Sequence, residues 1–138
     1  MDETILDTDI LSEVLKRKDQ QVLGTARQYL AEHQRLAFSA MTVYEIIRGM
    51  RANRATRQLA EFLKTVSTSE VFPISMPVLM RASELWAEAR RAGHPHSDAD
   101  LIIAATALEA GRALVTGNTS HYAWIDGLKL SDWRVANP

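Results

Sequence analysis

Short apolar runs alternate with amphipathic stretches along this chain, the pattern typical of an α/β domain. Strands are predicted at residues 4–7, 35–38, 70–72 and 113–116, with a candidate edge strand at 128–133. Helices are predicted at residues 10–18, 20–33, 40–51, 56–66, 76–91 and 100–110. Because strands this short, separated by helices, usually pair in parallel beneath helices on both faces, we predict a three-layer α/β/α fold with a short-stranded, mostly parallel central sheet.

The predicted helix ends carry residues that favour caps. A side-chain oxygen at the N-cap satisfies free backbone N–H groups, and glycine readily adopts the left-handed conformation that ends a helix. The candidate N-caps are Thr8 or Asp9, Ser39, Ser75, and Ser97 or Asp98. Gly93 and Gly111 are predicted to end the long helix and the last helix.

Length and composition predict one ordinary globular domain over residues 1–138, with 46% hydrophobic and 24% charged residues. The absence of cysteine excludes disulfides, thiolate catalysis and cysteine-ligated zinc. The acidic first residues do not resemble a secretory signal, and the longest apolar run, residues 101–105, is too short to cross a membrane. We therefore expect a cytoplasmic protein without a membrane partner. The net charge of −1 leaves nucleic-acid binding open, since such binding depends on local patches.

Two polar residues, Asp7 and Asn118, follow the first and the fourth predicted strand. Ligands of open parallel sheets bind beyond the carboxyl ends of the strands. Both residues therefore open toward the same edge of the sheet, which is the predicted site. Taken alone, an Asp at the end of a strand is more often a turn or cap residue, so that interpretation of Asp7 stays open.

Asp100 gives the sharpest single signal, because residues 101–108 are apolar on nearly every helical face and predict a helix that is buried all round. A carboxylate in the first turn gains about 0.3–1 kcal/mol from the helix dipole, whereas burying a charge costs several kcal/mol. A buried Asp100 therefore needs a cation or a network of donors; the alternative is an acid at the exposed helix end. Asp98 cannot point the same way, so a cap or a supporting position beside the site suits it better.

Carboxylates from separate segments suit a hard divalent cation. Asp7, Glu45 and Asp100 together can hold Mg²⁺ or Mn²⁺, which take oxygen ligands. Such an ion can activate water and neutralise charge on a phosphodiester without a general-base histidine. Helical geometry alone favours a different interpretation of Glu45, namely a solvated side chain paired with Arg48 three residues later.

Four segments in order carry a resemblance to a known family. They are LDTDIL at 6–11, SAMTVYEI at 39–46, DLIIAATA at 100–107 and LVTGNT at 114–119. With these segments the chain resembles PIN-domain ribonucleases, and within that fold the toxins of VapBC toxin–antitoxin modules. The resemblance covers essentially the whole chain. It implies a homodimer and an antitoxin partner that covers or disorders the acidic pocket.

The resemblance also assigns roles to individual positions. Asp7, Glu45 and Asp100 match the metal-binding acids of the family, which reverses the interpretation of Glu45 from helical geometry. The fourth acidic position of the family falls at Asn118, where the amide would orient a water or contact the substrate. This departure puts a second tightly held ion in question.

Further positions are candidates for supporting roles. Thr8 and Thr116 match small hydroxyl positions beside the acids, and His121 lies where it could position a phosphate. Arg48 and Arg51 belong to a run of arginines spaced by three and are candidates for contact with RNA phosphates. A solvated helix face explains the same run of arginines.

The function implied by the resemblance is that of a toxin endoribonuclease. Mg²⁺ or Mn²⁺ would activate a water for in-line attack on an RNA phosphodiester, leaving a 5′-phosphate and a 3′-hydroxyl. One alternative is a catalytically weak or inactive PIN-like module that binds RNA or a partner, which Asn118 favours. A remote alternative is a haloacid-dehalogenase-type phosphatase, because residues 7–9 resemble its D-x-D motif. That activity also needs a suitably placed lysine and a later acidic pair, which Lys129 and Asn118 do not supply.

Overall fold

Helices and short strands alternate through residues 1–136, the part of the chain that the computed structural model describes. The strands are β1 (Thr4–Leu6), β2 (Ala37–Ser39), β3 (Glu70–Phe72), β4 (Ala113–Val115) and β5 (Leu130–Ser131). The helices are α1 (Thr8–Lys16), α2 (Gln20–His33), α3 (Ala40–Ala52), α4 (Thr56–Ser67), α5 (Met76–Arg91), α6 (Asp98–Ala110) and α7 (Thr119–Tyr122).

The strands form one sheet in the order β3-β2-β1-β4-β5, and every pair is parallel. The central strand β1 is in register with β4, so that Leu6 lies beside Val115. From β1 the chain proceeds outward through β2 and β3 and then returns to the other side of β1. The strand order therefore reverses between β1 and β4, and the carboxyl ends of these two strands are where a ligand crevice is expected.

Each face of the sheet carries its own hydrophobic core. On one face α5 and α6 pack on the strands, with Ile103 fully buried. On the other face α1 to α4 do so, with Phe62 nearly fully buried. Successive strand residues point to opposite faces, so Ile5 belongs to the first core and Leu6 to the second. The prediction of a three-layer α/β/α fold with a short-stranded parallel sheet is confirmed.

Most helix caps agree with the predictions, and one does not. Ser39 and Ser75 cap α3 and α5 as predicted, and Gly111 ends α6 with a positive φ of 66°. The N-cap of α1, however, is Asp7 rather than Thr8 or Asp9, because β1 ends at Leu6 and the helix starts two residues earlier than predicted. Of the two candidates for the N-cap of α6, Ser97 is the one observed, and its Oγ accepts a hydrogen bond from the Asp100 N–H.

The remaining differences are short. The second strand begins at Ala37 instead of residue 35, and the edge strand β5 has only two residues. Helix α7 was not predicted, because four residues are too few to show a helical period. Within residues 1–136, no helix combines the length and the apolar character needed to cross a bilayer.

Candidate active site

Asp7 is held at the carboxyl end of β1 by donors from three different parts of the chain. Its Oδ1 accepts the Thr8 backbone N–H at 2.8 Å, and its Oδ2 accepts the Thr116 hydroxyl at 2.9 Å and the Tyr122 hydroxyl at 3.2 Å. The residue is only 7% exposed. The sequence allowed two interpretations of Asp7, as a helix cap and as a residue at the carboxyl edge of the sheet. The structure shows both positions for the same side chain, which caps α1 at the end of β1.

The electrostatic environment of Asp7 disfavours its ionised form. Burial raises the pKa of Asp7 from 3.8 to about 6, and the neighbouring charge of Asp9 adds to this. Hydrogen bonds from Thr116 and Thr8 act in the opposite direction, and the charge of Asp100 raises the pKa further. Asp7 is thus a buried carboxylate whose charged neighbours have the same sign.

Asp100 reaches the same place from the first turn of α6. Its Oδ2 accepts a hydrogen bond from His121 Nε2 at 3.1 Å, and its charge acts on the neighbouring hydroxyl of Tyr122, which donates to Asp7. Burial, followed by the charges of Asp7 and Asp100, raises the pKa of Tyr122 above its ordinary value, so its hydroxyl stays protonated. The charges of Asp7 and Asp100 therefore act on the same neutral hydroxyl and on each other, which places the two carboxylates in one site. As predicted, residues 101–108 of α6 are buried on nearly all sides.

Glu45 enters the site from α3 by way of Thr8. The Thr8 hydroxyl donates to Glu45 Oε1 at 2.8 Å, and the same residue's backbone N–H donates to Asp7. The other carboxylate oxygen of Glu45 lies 3.6 Å from Arg48 Nη2, so the ion pair expected from helical spacing is also present. Helical geometry therefore predicted the contact with Arg48 correctly, and the metal-binding role that the resemblance gives to Glu45 stays a prediction.

Three candidates from the sequence lie outside this group. Asn118 is exposed, and its side chain accepts the Ser120 hydroxyl at 3.3 Å instead of pointing to the acids. Asp98 is exposed and lines a surface cavity with Trp86, so the structure does not support a role for it as a cap or beside the site. Arg51 lies exposed in the last turn of α3.

Three residues of the site were not identified from the sequence as contributors. Asp9, interpreted as a cap, directs its Oδ2 to the Gly117 N–H at 2.9 Å, and its charge acts on Asp7. Tyr122, which donates to Asp7, lies in α7, a helix that was not predicted. His96 Nδ1 lies 3.0 Å from His121 Nε2, although the two histidines are 25 residues apart. Sequence spacing carries no signal for a contact of that kind.

The donor chemistry of the site fits a hard divalent cation held by few protein ligands. Within residues 1–136, no three His, Asp or Glu side chains converge closely enough to form a complete metal centre. Asp7 and Asp100 are nevertheless two carboxylates whose charges act on each other, and Asp7 is buried among like charges. Mg²⁺ typically keeps several waters and takes one or two carboxylates, so this pair suits it.

The fold and the site together define a class: three-layer α/β proteins with a carboxylate cluster where the strand order of a parallel sheet reverses. Residues 4–124 match the family model of the PIN domain, and the chain belongs to that family. The prediction of a PIN domain made from the four segments is confirmed.

Named relatives are VapC-type PIN domains. The chain is 28% identical over 130 residues to the "tRNA(fMet)-specific endonuclease VapC" of Shigella flexneri, covering 94% of this chain and 96% of that protein. It is 27% identical over 130 residues to "Ribonuclease VapC1" of Methanocaldococcus jannaschii, covering 93% and 86%. Among solved structures, DNA-bound VapBC from Salmonella typhimurium contains a chain with a TM-score of 0.83 and 26% identity, covering 96% of this chain and 99% of that one.

Proposed function

We propose that this protein is a metal-dependent endoribonuclease and the toxin of a toxin–antitoxin module. The proposal is supported by membership of the PIN-domain family and by relatives named as VapC ribonucleases. The observation that carries it is the placement of Asp7, buried beside Asp9 and Asp100 without a lysine or arginine in hydrogen-bonding contact within residues 1–136. A divalent cation is the partner that makes such a cluster favourable.

The residues of this chain would divide the work as follows. Asp7 and Asp100 hold Mg²⁺ or Mn²⁺, and Glu45 joins them from the far side of Thr8. A bound ion supplies activation of water and neutralisation of charge on the phosphodiester. Hydrogen bonds from Thr116 and Tyr122 orient Asp7, and the contact with His121 orients Asp100, so both carboxylates would be held in place to bind the ion.

RNA is the proposed substrate, and transfer RNA is the first class to test. Two relatives, from Shigella flexneri and Salmonella typhimurium, carry the name tRNA(fMet)-specific endonuclease and each match 94% of this chain. Hydrolysis by water would leave a 5′-phosphate and a 3′-hydroxyl. Arg48 and Arg51, exposed on the same helix as Glu45, are the proposed contacts to RNA phosphates.

We further propose an antitoxin partner and a homodimer, in a single domain that acts in the cytoplasm. Solved structures similar to this chain are VapBC toxin–antitoxin complexes. A groove of about 610 Å³ between α1, α3 and α4 begins at Thr8 and Glu45 and continues over the apolar side chains of Ile46, Met50 and Phe62. An antitoxin segment seated in this groove would cover Glu45 at one end.

The test combines cleavage with a measurement of metal binding. Purified antitoxin-free protein is incubated with transfer RNA and with total RNA in Mg²⁺, Mn²⁺ or EDTA, and the new 5′ ends are mapped. Cleavage is expected with a divalent ion only, and Asp7→Asn and Asp100→Asn are expected to abolish it. Calorimetric titration of Mn²⁺ into the wild type and the same variants reports on the ion independently of activity.

Asp126→Asn is the matched control, because it removes an exposed carboxylate that lies outside the site. It should cleave RNA and bind Mn²⁺ like the wild type. RNA cleavage that continues unchanged in EDTA, or full activity in both site variants, would refute the proposal.

A second candidate is a PIN domain that binds RNA or a partner without cutting. Two observations favour it: Asn118 replaces an acid and turns away from the cluster, and Glu45 is partly neutralised by Arg48. The same assay separates the candidates, since an inactive module would bind RNA in Mn²⁺ and leave it intact. The phosphatase alternative has no support from the family to which the chain belongs.

A further inference from the structure

A second cavity adjoins the acidic site on the side of α7. It has a volume of about 360 Å³. It lies between the loop that precedes α6 and the residues in and just after α7. Its lining residues are His94, Pro95, His96, Ser120, His121 and Trp124, and we call it the ring pocket. Four of these six side chains carry an aromatic ring, and no acidic side chain is among them.

The rings of the ring pocket are held in place by one another. His96 stacks on Trp124 with 4.9 Å between ring centroids and an angle of 30°, and it lies 4.2 Å from the ring of His121. The indole N–H of Trp124 donates to the backbone oxygen of His121 at 3.1 Å. The aromatic wall is therefore already formed in the free protein, which lowers the cost of ordering it when a ligand binds.

The ring pocket is joined directly to the proposed cleavage site. His121 Nε2 lies 3.1 Å from Asp100 Oδ2 and 3.0 Å from His96 Nδ1, so one imidazole contacts both a candidate metal ligand and the aromatic wall. A group bound in the ring pocket thus lies one imidazole away from Asp100, a candidate ligand of the proposed metal ion.

Positive charge is available on the far side of the ring pocket. Pro95 and His96 also line an adjoining cavity of about 220 Å³, together with Trp86 and Arg90. The guanidinium of Arg90 lies 5.0 Å above the ring of Trp86. An exposed cation therefore lies in the cavity that adjoins the ring pocket at Pro95 and His96.

We propose that the ring pocket binds one unpaired base of the RNA substrate, immediately beside the scissile phosphate. The inference rests on the proposed function and specifies the substrate as single-stranded at that position. Proteins that recognise unpaired RNA stack its bases on aromatic rings, histidine included, and pockets for small ligands start at about 300 Å³. Within residues 1–136 no three metal-binding side chains converge, so a second metal centre of the two histidines is not favoured.

The test measures binding in EDTA, where cleavage cannot interfere. The probes are a labelled adenosine oligonucleotide of about ten nucleotides, a length within the usual site sizes for single strands, and an abasic ribose-phosphate chain of the same length. Stacking on an aromatic side chain contributes a factor of about 5 to 150 in affinity per base. We expect His96→Ala to weaken binding of the adenosine oligonucleotide at least about 5-fold and to leave binding of the abasic chain unchanged.

Two further variants give the comparison its controls. His96→Phe keeps an aromatic ring at the position and should restore most of the affinity. If His96→Ala lost affinity through misfolding or through the missing contact to His121, the Phe variant would not recover it. His33→Ala removes a histidine that contacts the Met1 carbonyl near the opposite end of the strands and should bind both probes like the wild type. Thermal unfolding of each variant verifies that it is folded.

Equal binding of the adenosine oligonucleotide by His96→Ala and wild type would refute base binding in the ring pocket. The same conclusion would follow if His96→Ala lost as much affinity for the abasic chain as for the oligonucleotide. A wild type that prefers neither probe would refute it too. Cleavage in Mn²⁺ is followed in parallel. Normal cleavage with unchanged binding in His96→Ala overturns only the ring pocket, whereas base-dependent binding without any cleavage by wild type overturns only the nuclease activity.

Discussion

Replacing Asp7 by Asn should stabilise the metal-free protein while it removes the proposed activity. The substitution keeps the shape of the side chain and deletes its charge. The Asn carbonyl can accept the Thr8 N–H as Oδ1 does now, and its amide can donate to the hydroxyls of Thr116 and Tyr122, which are able to act as acceptors. The hydrogen bonds are therefore retained, and the main change is the loss of a buried negative charge.

The expected gain follows from the pKa of Asp7. Burial and the charge of Asp9 raise this pKa from 3.8 to about 6. The difference corresponds to about 3 kcal/mol in favour of the neutral form of the folded protein. In EDTA above pH 7 the free energy of unfolding of Asp7→Asn should exceed that of wild type by up to this amount. For a chain of this size the gain is roughly 5–10 °C in the unfolding midpoint.

The sign of the pH dependence is part of the prediction. Below pH 3.8 Asp7 is protonated in both the folded and the unfolded state and contributes no difference. Between pH 3.8 and about 6 the unfolded chain loses its proton first, so the wild type loses stability as the pH rises. The advantage of the Asn variant should therefore grow through this window and level off above about pH 6.

Urea unfolding in EDTA at a series of pH values measures this advantage, with Asp126→Asn as the control that removes an exposed charge. Added Mg²⁺ should then raise the midpoint of wild type more than that of Asp7→Asn. An Asn variant less stable than wild type at pH 7.5 in EDTA would show that the donors around Asp7 already outweigh the cost of its burial.

Three further substitutions test the surroundings of the site. Tyr122→Phe removes a donor to the buried Asp7 and should lower the free energy of unfolding by about 1.5–3 kcal/mol at pH 7.5, with a smaller loss below pH 5; urea unfolding at both values measures it. Gly117→Ala would place a Cβ 2.7 Å from Asp9 Oδ2 and should cost about 1–3 kcal/mol in thermal unfolding. Arg51→Gln should reduce the salt dependence of RNA binding by a slope of about 0.7, the value for one phosphate contact to a single strand; an unchanged slope would leave Arg51 as a solvated residue.

Local signals in the sequence were sufficient for the layers of the fold and for its anchor points. Alternating apolar runs and capping serines predicted the α/β architecture, and the apolar stretch after Asp100 predicted a helix buried on nearly all sides. These features are readable because they depend on spacing along one element. The position of Asp7 at the end of β1 also followed, since the carboxyl ends of parallel strands share one edge.

What the sequence left open depends on contacts between residues far apart in the chain. Only the packed structure brings Tyr122 to Asp7 across 115 positions and His96 to His121 across 25. It also gives Glu45 two partners where spacing along α3 offered one. Periodicity reports which face of an element is buried, whereas the partner of a polar atom is chosen by which elements lie side by side. That choice is made by the tertiary structure.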